Sequence, residues 1–246
     1  MGKIQFYKDR IALNCLAKDM DNAVEICEAM EGYAAVGVLS KQFDNAEQGI
    51  EVIKKYLDVL PCVSVGLGSG DPNQWEKAAW IAAELDSGHV NQVFTSAPVA
   101  KGMLMAKGKE NTKVNCLVSP TGIAGKVKVS TGPLSSLGED GILDIDIVAR
   151  MMKDMQVDAI KFFPMGEMKS MDELKAVAEA CAQYDLMLEP TGSLGLHNLE
   201  EVIQIALDAG VKKMMPHIYN SIIDKETGLT KIEDVKAVMD IFKKMI

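Results

Sequence analysis

The chain has 246 residues, of which 48% are hydrophobic and 25% are charged, as in an ordinary folded protein. Its formal net charge of -9 gives no general attraction to a phosphate backbone, so we expect no nucleic-acid partner. No stretch approaches the ~18 consecutive apolar residues of a membrane-spanning helix, which argues against a membrane partner. The five cysteines form no Cys-x-x-Cys pair, so we expect reduced thiols in a cytoplasmic protein rather than disulfides or a zinc site.

Eight apolar, β-rich segments alternate along the chain with eight segments of helical periodicity. The predicted strands are 11–17, 34–40, 62–68, 91–96, 114–119, 159–164, 186–192 and 214–219. The predicted helices are 21–31, 45–57, 73–85, 99–107, 143–155, 171–184, 199–209 and 232–245. This alternation predicts parallel strands joined by right-handed crossovers, and eight repeats in about 250 residues are typical of a (β/α)8 TIM barrel. We therefore expect an α/β protein with a single domain over residues 1–246.

One predicted connection is too long for an ordinary strand-to-helix loop. Residues 120–140 follow the fifth predicted strand and include Lys126-Val127-Lys128-Val129, in which polar and apolar side chains alternate. Alternation of period two indicates a half-buried strand. We expect an extended loop here with a small hairpin or edge strand.

One lysine stands out among the predicted strands. Lys161 lies in the run 159–164, AIKFFP, between apolar and aromatic side chains. Desolvation in such surroundings lowers the pKa of a lysine, and a neutral amine can attack a carbonyl to form a Schiff base. The alternative interpretation is a lysine on the polar face of a half-buried strand with its ammonium in water. If Lys161 faces the barrel interior, strand alternation turns Phe163 inward as well.

The motif Lys161-Phe162-Phe163-Pro164 resembles the Lys-Phe-Phe-Pro motif that class I 2-keto-3-deoxy-6-phosphogluconate (KDPG) aldolases carry on their sixth barrel strand. Pro190-Thr191-Gly192-Ser193, at the end of the seventh predicted strand, is similar to the family's Pro-Thr-Gly-Gly. Over most of its length the chain more closely resembles divergent KDPG aldolases linked to bacterial D-glucosaminate breakdown. The resemblance implies an aldehyde-lyase of carbohydrate metabolism that uses a Schiff base on Lys161. Its products would be pyruvate and glyceraldehyde 3-phosphate.

The general acid/base is not implied by the resemblance. The usual family has Val-Glu-Val-Thr-Leu-Arg on an early strand, whereas residues 34–40 here are AAVGVLS, without a carboxylate or an arginine. We favour Glu189, beside the seventh-strand turn, and keep His217 on the eighth strand and Glu167 as other candidates. Glu189 could equally cap the following turn, and His217 could equally be a hydrogen-bonded core histidine.

Candidate substrate-binding residues follow several predicted strands. We expect the phosphate at Gly192-Ser193, where backbone N–H groups at a helix start bind anions, and Thr191 at the carboxylate or a hydroxyl. With only two arginines in the chain, further anion binding would use lysines such as Lys18 or Lys41. The remaining candidates follow the third and fourth strands, where an ordinary tight turn is the alternative interpretation: Gly68 and Thr95.

Three other functions stay open at this point. A 4-hydroxy-2-oxoglutarate aldolase would use the same imine on a shorter substrate, and a non-catalytic protein could bind a sugar-acid phosphate. A metal-dependent aldolase needs convergent ligands, and His217 with Glu189 is the visible pair, since His89 and His197 look like loop or helix-end residues. We therefore expect no metal and no other cofactor. Exposed methionines on the helices are compatible with the homo-oligomer that we expect.

Overall fold

The computed structural model contains a ring of parallel strands enclosed by helices. It describes residues 1–246 apart from the side chains of residues 167 and 168, so the candidate Glu167 lies outside the described side chains. The strands are β1 (Leu13–Leu16), β2 (Ala34–Leu39), β3 (Val63–Gly66), β4 (Gly88–Val90), β5 (Lys113–Pro120), β6 (Lys126–Lys128), β7 (Ile142–Asp144), β8 (Ala159–Phe162) and β9 (Met187–Pro190). The helices are α1 (Met20–Ala29), α2 (Ala46–Leu57), α3 (Trp75–Leu85), α4 (Ala97–Ala106), α5 (Ile145–Asp154), α6 (Met171–Tyr184), α7 (Leu199–Asp208) and α8 (Ile232–Met245).

The strands pair around the ring in the order that a barrel requires. β1 to β5 pair in sequence, β5 then pairs with β8, and β8 pairs with β9, each in parallel. Residues 214–218 occupy the eighth position and make isolated parallel bridges to both β9 and β1. The regular ladder is interrupted there because Pro216 has no N–H and contributes only its carbonyl, to the N–H of Asn14. The architecture is the α/β barrel that the alternation predicts.

The helices lie outside the ring with their apolar faces against it. Local caps help to set where they begin: the side chain of Asp19 accepts a hydrogen bond from the N–H of Asn22 at α1, and Asn45 accepts one from Gln48 at α2. Within the described part of the chain, no helix is both long and apolar enough to cross a bilayer.

The fourth strand differs from its prediction. Residues 91–96 were expected to form it, but β4 is the shorter segment that precedes them, with the polar His89 at its centre. Val93 makes only a bridge to Leu117, and its carbonyl accepts hydrogen bonds from the N–H groups of Ser96 and Ala97 as α4 begins. The second half of the predicted strand, residues 94–96, therefore forms the turn before α4.

The long connection after β5 carries two short strands. β6 pairs antiparallel with both β5 and β7. The buried carboxylate of Glu173 in α6 accepts hydrogen bonds from the N–H groups of Thr121 and Gly122, at 2.6 and 3.1 Å. These charge-assisted bonds attach the connection to the neighbouring helix.

Alternation along each strand separates the barrel interior from the outer core. On β8, Ile160 and Phe162 are fully buried in the core between strands and helices, whereas Ala159 belongs to a separate apolar cluster inside the ring. Lys161 shares the inward parity of Ala159, and it pairs in register with Glu189 of β9. The same alternation therefore turns both ionisable side chains into the barrel.

Candidate active site

A cavity of about 1140 Å³ opens at the C-terminal ends of the barrel strands. Lys161 of β8 and His217 of the eighth barrel position line it, together with Asn91, Thr191 and Tyr219. In TIM barrels this end carries the chemistry, and a cavity of this size can enclose a small organic molecule.

Lys161 reaches the cavity from an almost fully buried position, with 7% of its surface exposed. Its Nζ lies 2.7 Å from Oδ1 of Asn91 and 3.3 Å from Nδ1 of His217. Burial lowers the pKa of Lys161 from 10.5 to about 8, although the charge of Glu189 opposes this shift. A neutral amine is therefore accessible close to neutral pH.

Glu189 is the centre of a fully buried cluster below the cavity. Its Oε1 lies 2.9 Å from Nε2 of His89, and its Oε2 accepts a 2.6 Å hydrogen bond from Asn115. Nε2 of His217 is also 2.9 Å from Oε2, but the ring is turned outside hydrogen-bond geometry. Burial alone would raise the pKa of Glu189, but His89 and His217 outweigh it and hold the pKa well below its usual range. The favoured acid/base candidate is thus an ionised carboxylate that does not itself line the cavity.

His217 connects this carboxylate with the cavity. One ring nitrogen, Nε2, faces Glu189, while Nδ1 lies 2.8 Å from the hydroxyl of Tyr219. Burial, and next the neighbouring Lys161, lower the pKa of His217 to about 3, so the ring is neutral at neutral pH. If the proton is on Nε2, toward the carboxylate, Nδ1 is free to accept one from the cavity side.

Tyr219 continues the same network toward β1. Its hydroxyl donates to Oδ1 of Asn14 at 2.9 Å. Burial, and next the charge of Glu189, raise the pKa of Tyr219, so the hydroxyl stays protonated. Tyr219 can therefore donate a hydrogen bond either to Asn14 or to His217.

Several polar residues of this network were missed by sequence reasoning. His89, expected in a loop or at a helix end, instead lies on β4, where its Nδ1 is 2.8 Å from Oγ of Ser64. Asn91 donates to the same Oγ at 3.1 Å, and its Oδ1 accepts from Asn115 at 2.8 Å. Strand alternation could have identified them. Ser64 and Asn115 are polar residues in the middle of otherwise apolar buried strands, and each lies two residues from another inward-facing position.

The structure brings most of the predicted binding residues together. The following of them line the cavity: Phe163, Thr191, Gly192, Ser193 and Gly68. Thr95 is an exception, because β4 ends at Val90 and Thr95 falls in the turn before α4. Its exposed side chain packs against Gly132 of the connection after β5, outside the cavity lining.

Three members of the buried cluster could also hold a metal ion. His89, Glu189 and His217 each offer a ligand atom, and these atoms all lie within 4.8 Å of one another. Two imidazoles and one carboxylate form a ligand set suited to zinc or iron. Sequence reasoning recognised only two of the three, because the position of His89 was misjudged.

Comparison with known proteins identifies the family. The family model for KDGP aldolase matches residues 7–226. A 2-dehydro-3-deoxy-phosphogluconate aldolase from Salmonella typhimurium (strain 14028s / SGSC 2262) is 48% identical over 247 residues, covering 100% of both chains.

Solved structures with much lower identity share the fold. The 3-hexulose-6-phosphate synthase from Salmonella typhimurium has a TM-score of 0.60 at 8% identity, covering 96% of this chain and 100% of that one. KGPDC from Streptococcus mutans has a TM-score of 0.59 at 10% identity, covering 96% and 99%. At such identities the likeness concerns the barrel alone. The family match and the 48% identical relative also show the activity. This protein is an aldolase, and the chain belongs to the KDGP aldolase family.

Proposed function

We propose that the protein is a class I aldolase that cleaves 2-keto-3-deoxy-6-phosphogluconate to pyruvate and glyceraldehyde 3-phosphate. The observation that carries this proposal is the amino group of Lys161, which is buried, has a pKa of about 8 and is directed into the cavity. A neutral lysine in such a site can condense with a ketone, and the resulting iminium withdraws electrons from the bond that breaks.

The contacts of Lys161 support its role as the nucleophile. A neutral amine has two N–H bonds and one lone pair. Oδ1 of Asn91 and Nδ1 of His217 lie where they can accept both N–H bonds. The lone pair is then left for C2 of a keto acid in the cavity, so the nucleophile is oriented before the substrate arrives.

We assign the proton transfers to His217, with Glu189 as its positioning residue. Nδ1 of His217 takes the proton of the C4 hydroxyl as the C3–C4 bond breaks, and the electron pair passes to the iminium to form an enamine. The aldehyde product leaves, the same imidazole returns the proton to C3, and water hydrolyses the iminium to release pyruvate and the free amine. The negative charge of Glu189, 2.9 Å from Nε2, stabilises the imidazolium formed between these steps.

The position of the turn after β9 supports an anion-binding role beside the proposed nucleophile. Thr191 follows β9, the strand adjacent to β8, and its N–H donates to the carbonyl of Phe162. Gly192 and Ser193, the next residues, line the cavity with left-handed backbone conformations at φ 103° and 57°. We propose that Thr191, Gly192 and Ser193 hold one anionic end of the keto acid.

Borohydride reduction in the presence of pyruvate tests the imine. The expected result is an irreversible mass increase on the peptide that contains Lys161, absent from the Lys161→Met variant. Lys212, an exposed lysine paired with Asp185, offers the matched control, and Lys212→Met should retain the adduct. Cleavage of KDPG without any trapped adduct would contradict the proposal.

The buried ligand cluster favours a metal-dependent aldolase as the second candidate. His89, Glu189 and His217 would then hold a divalent ion, and the reaction would not need a covalent lysine adduct. Activity that EDTA abolishes and zinc restores would support this candidate. Activity that survives EDTA and is lost in Lys161→Met would support the imine.

The substrate itself can be separated from a shorter relative. 4-Hydroxy-2-oxoglutarate would form the same imine but carries a carboxylate in place of the phosphorylated end. We expect kcat/KM for KDPG to exceed that for 4-hydroxy-2-oxoglutarate at least tenfold. The opposite ranking would assign the protein to the shorter substrate while leaving the role of Lys161 intact.

We extend the proposal to the cellular setting of the enzyme. A role in D-glucosaminate breakdown is supported by the sequence resemblance, and a cytoplasmic location by five free cysteines, four of them buried. Loss of the gene should prevent growth of the source organism on D-glucosaminate while sparing growth on glucose.

A homo-oligomer is supported by large exposed side chains on adjacent helices: Trp80 on α3, with Val99 and Met105 on α4. Light scattering should give a mass of at least twice 26.7 kDa, and a mass of 26.7 kDa would contradict the proposal.

A further inference from the structure

We propose that the hydroxyl group of Tyr219 contacts the C4 hydroxyl of the substrate and relays its proton to His217. This inference rests on the proposed function, because it concerns the route by which that proton reaches Nδ1 of the imidazole. It adds a catalytic residue to the site, and it gives the proton transfers at C4 and at C3 different immediate partners.

Tyr219 is better placed than His217 to meet a substrate in the cavity. Both side chains line the cavity, but His217 is only 1% exposed, whereas Tyr219 is partly exposed. Nε2 of His217 faces Glu189, so Nδ1 is the nitrogen that remains for the cavity side, and the hydroxyl of Tyr219 lies 2.8 Å from it. A group that approaches Nδ1 from the cavity must therefore share it with this hydroxyl.

Nδ1 of His217 has one lone pair and two neighbouring donors. Nζ of Lys161 is 3.3 Å away, and Oη of Tyr219 is 2.8 Å away. In the free enzyme the amine can donate to this nitrogen while the tyrosine donates to Oδ1 of Asn14 at 2.9 Å. An iminium nitrogen keeps a single N–H, and Oδ1 of Asn91, at 2.7 Å, is the closer acceptor for it. Imine formation thus frees Nδ1 for the hydroxyl of Tyr219.

The distances suit the two reacting positions of the keto acid. C3 is two covalent bonds from the imine nitrogen, roughly 2.5 Å away, so Nδ1 of His217, at 3.3 Å from Nζ, is close enough to exchange a proton with it. The oxygen on C4 is four bonds from that nitrogen, roughly 4 to 5 Å away in an extended chain. The hydroxyl of Tyr219 lies one hydrogen bond beyond Nδ1, which matches this more distant oxygen.

The transfer is a relay in which Tyr219 gains one proton as it loses another. The C4 hydroxyl gives its proton to Oη, and the phenolic proton moves to Nδ1 of His217. The electrons of the O–H bond form the aldehyde carbonyl, and those of the C3–C4 bond pass to the iminium to form the enamine. Burial raises the pKa of Tyr219, so a free tyrosinate is unfavourable and the two protons must move together. After the aldehyde leaves, the imidazolium protonates C3, and the tyrosine keeps the proton of the substrate.

A second hydroxyl near the lysine has no connection of this kind. Thr191 also lines the cavity, but its Oγ1 donates to the backbone carbonyl of Glu189 at 3.3 Å. Among the described residues, the hydroxyl that lies within hydrogen-bond distance of Nδ1 of His217 is that of Tyr219. The relay therefore depends on one side chain that a single substitution can test.

The test compares Tyr219→Phe, which removes the hydroxyl and keeps the ring, with Tyr184→Phe. Tyr184 is a matched control because it is also partly buried, but its hydroxyl donates to Asp146 on the outer helices. Two reactions are measured for each protein: cleavage of KDPG, and exchange of the methyl protons of pyruvate in D2O, followed by NMR. Exchange needs the imine and proton transfer at C3, but it involves no C4 hydroxyl.

The two reactions should separate in Tyr219→Phe. We expect kcat for cleavage to fall about 10²- to 10³-fold, while methyl exchange and borohydride trapping with pyruvate stay within about threefold of the unaltered protein. Tyr184→Phe should leave cleavage, exchange and trapping unchanged. His217→Asn should reduce both cleavage and exchange, because both reactions need the imidazole.

Two outcomes would overturn the inference. If Tyr219→Phe cleaves KDPG within about threefold of the unaltered protein, no essential proton passes through the hydroxyl. If cleavage and exchange fall by the same factor, Tyr219 acts only by holding His217 in place. In both cases the proposed imine chemistry stands as long as the unaltered protein traps pyruvate. If the unaltered protein traps none, the proposed function fails and the relay fails with it.

Discussion

Two successive levels of the barrel interior have opposite chemistry. The lower level, which we call the apolar tier, consists of small and sulfur-containing residues on or beside the strands: Ala12, Ala35, Cys62, Ala159, Met187 and Met215. At the next level toward the cavity, each of the eight strand positions places one inward residue in what we call the polar tier. On the six strand positions with a member of the apolar tier, this residue lies two residues further along the chain. The members of the polar tier, apart from Gly37, are Asn14, Ser64, His89, Asn115, Lys161, Glu189 and His217.

Within the barrel interior, the apolar tier contributes mainly to stability and the polar tier carries the ionisable groups of the candidate site. The apolar tier needs only good packing, whereas every group of the polar tier must replace its lost hydration with hydrogen bonds. Glu189 does so through His89 and Asn115, and Lys161 through Asn91 and His217. The polar tier is thus a costly arrangement that the aldolase activity accounts for, and substitutions in the two tiers should affect different measurements.

Removing the amino group should have the largest effect on activity. Lys161→Met keeps the length of the side chain but removes the proposed nucleophile, and we expect cleavage to fall at least about 10⁴-fold. Steady-state assays of the purified variant, with Lys212→Met as the surface control, measure this loss. Residual cleavage within tenfold of the unaltered protein would rule out the imine route.

The same variant should be more stable than the unaltered protein. Folding lowers the pKa of Lys161 from 10.5 to about 8, so keeping the buried group charged costs about 3 kcal/mol at neutral pH. Between pH 8 and 10.5 the unfolded chain binds a proton that the folded protein does not, so stability rises with pH across this window. Urea unfolding at pH 7 should show the gain in Lys161→Met, and the gain should disappear by pH 11.

Neutralising the central carboxylate should have the next largest effect on activity. Glu189→Gln preserves shape but removes the charge that stabilises a protonated His217, so kcat should fall about 10²- to 10³-fold with little change in KM. Pyruvate trapping at Lys161 should persist, because the proposed nucleophile is intact. His89→Asn changes only the contact to Oε1, the carboxylate oxygen that faces away from His217, and should lower kcat less. Equal losses of trapping and cleavage would mean that Glu189 serves Lys161 rather than His217.

The pH dependence of the unaltered enzyme should follow the amine. Below pH 8 most Lys161 groups carry a proton and cannot attack, so kcat/KM should rise about tenfold per pH unit and level off above pH 8. The neutral imidazole of His217, with its pKa of about 3, should add no inflection between pH 5 and 8. With unphosphorylated 2-keto-3-deoxygluconate, which has no ionisation in this range, a second inflection near 6.5 would contradict the low pKa of His217.

Sequence patterns were informative for the apolar parts of the barrel and for one polar motif. Repeated apolar segments predict the alternation, and Lys161 is recognisable because a cation between Ile160 and Phe162 contradicts the pattern of a buried strand. β4 was misplaced because its centre is the polar His89. A single sequence does not show that the ring of His89 is hydrogen-bonded to a carboxylate 100 residues away, on Glu189. Glu189 was recognised as important, but its depth below the cavity depends on tertiary packing.

A substitution in the apolar tier should give the smallest change in activity and complete the comparison. Met187 lies two residues before Glu189 on the same strand, faces the same interior and belongs to the apolar cluster. Met187→Ala should lower the free energy of unfolding by about 2 to 5 kcal/mol, because it leaves a cavity that the barrel cannot close. Activity of the folded variant at 25 °C should remain within about twofold, because no hydrogen bond of the polar tier involves the thioether. Paired urea unfolding and kinetic assays measure the two effects, and a large loss of kcat without loss of stability would show that the tiers are coupled.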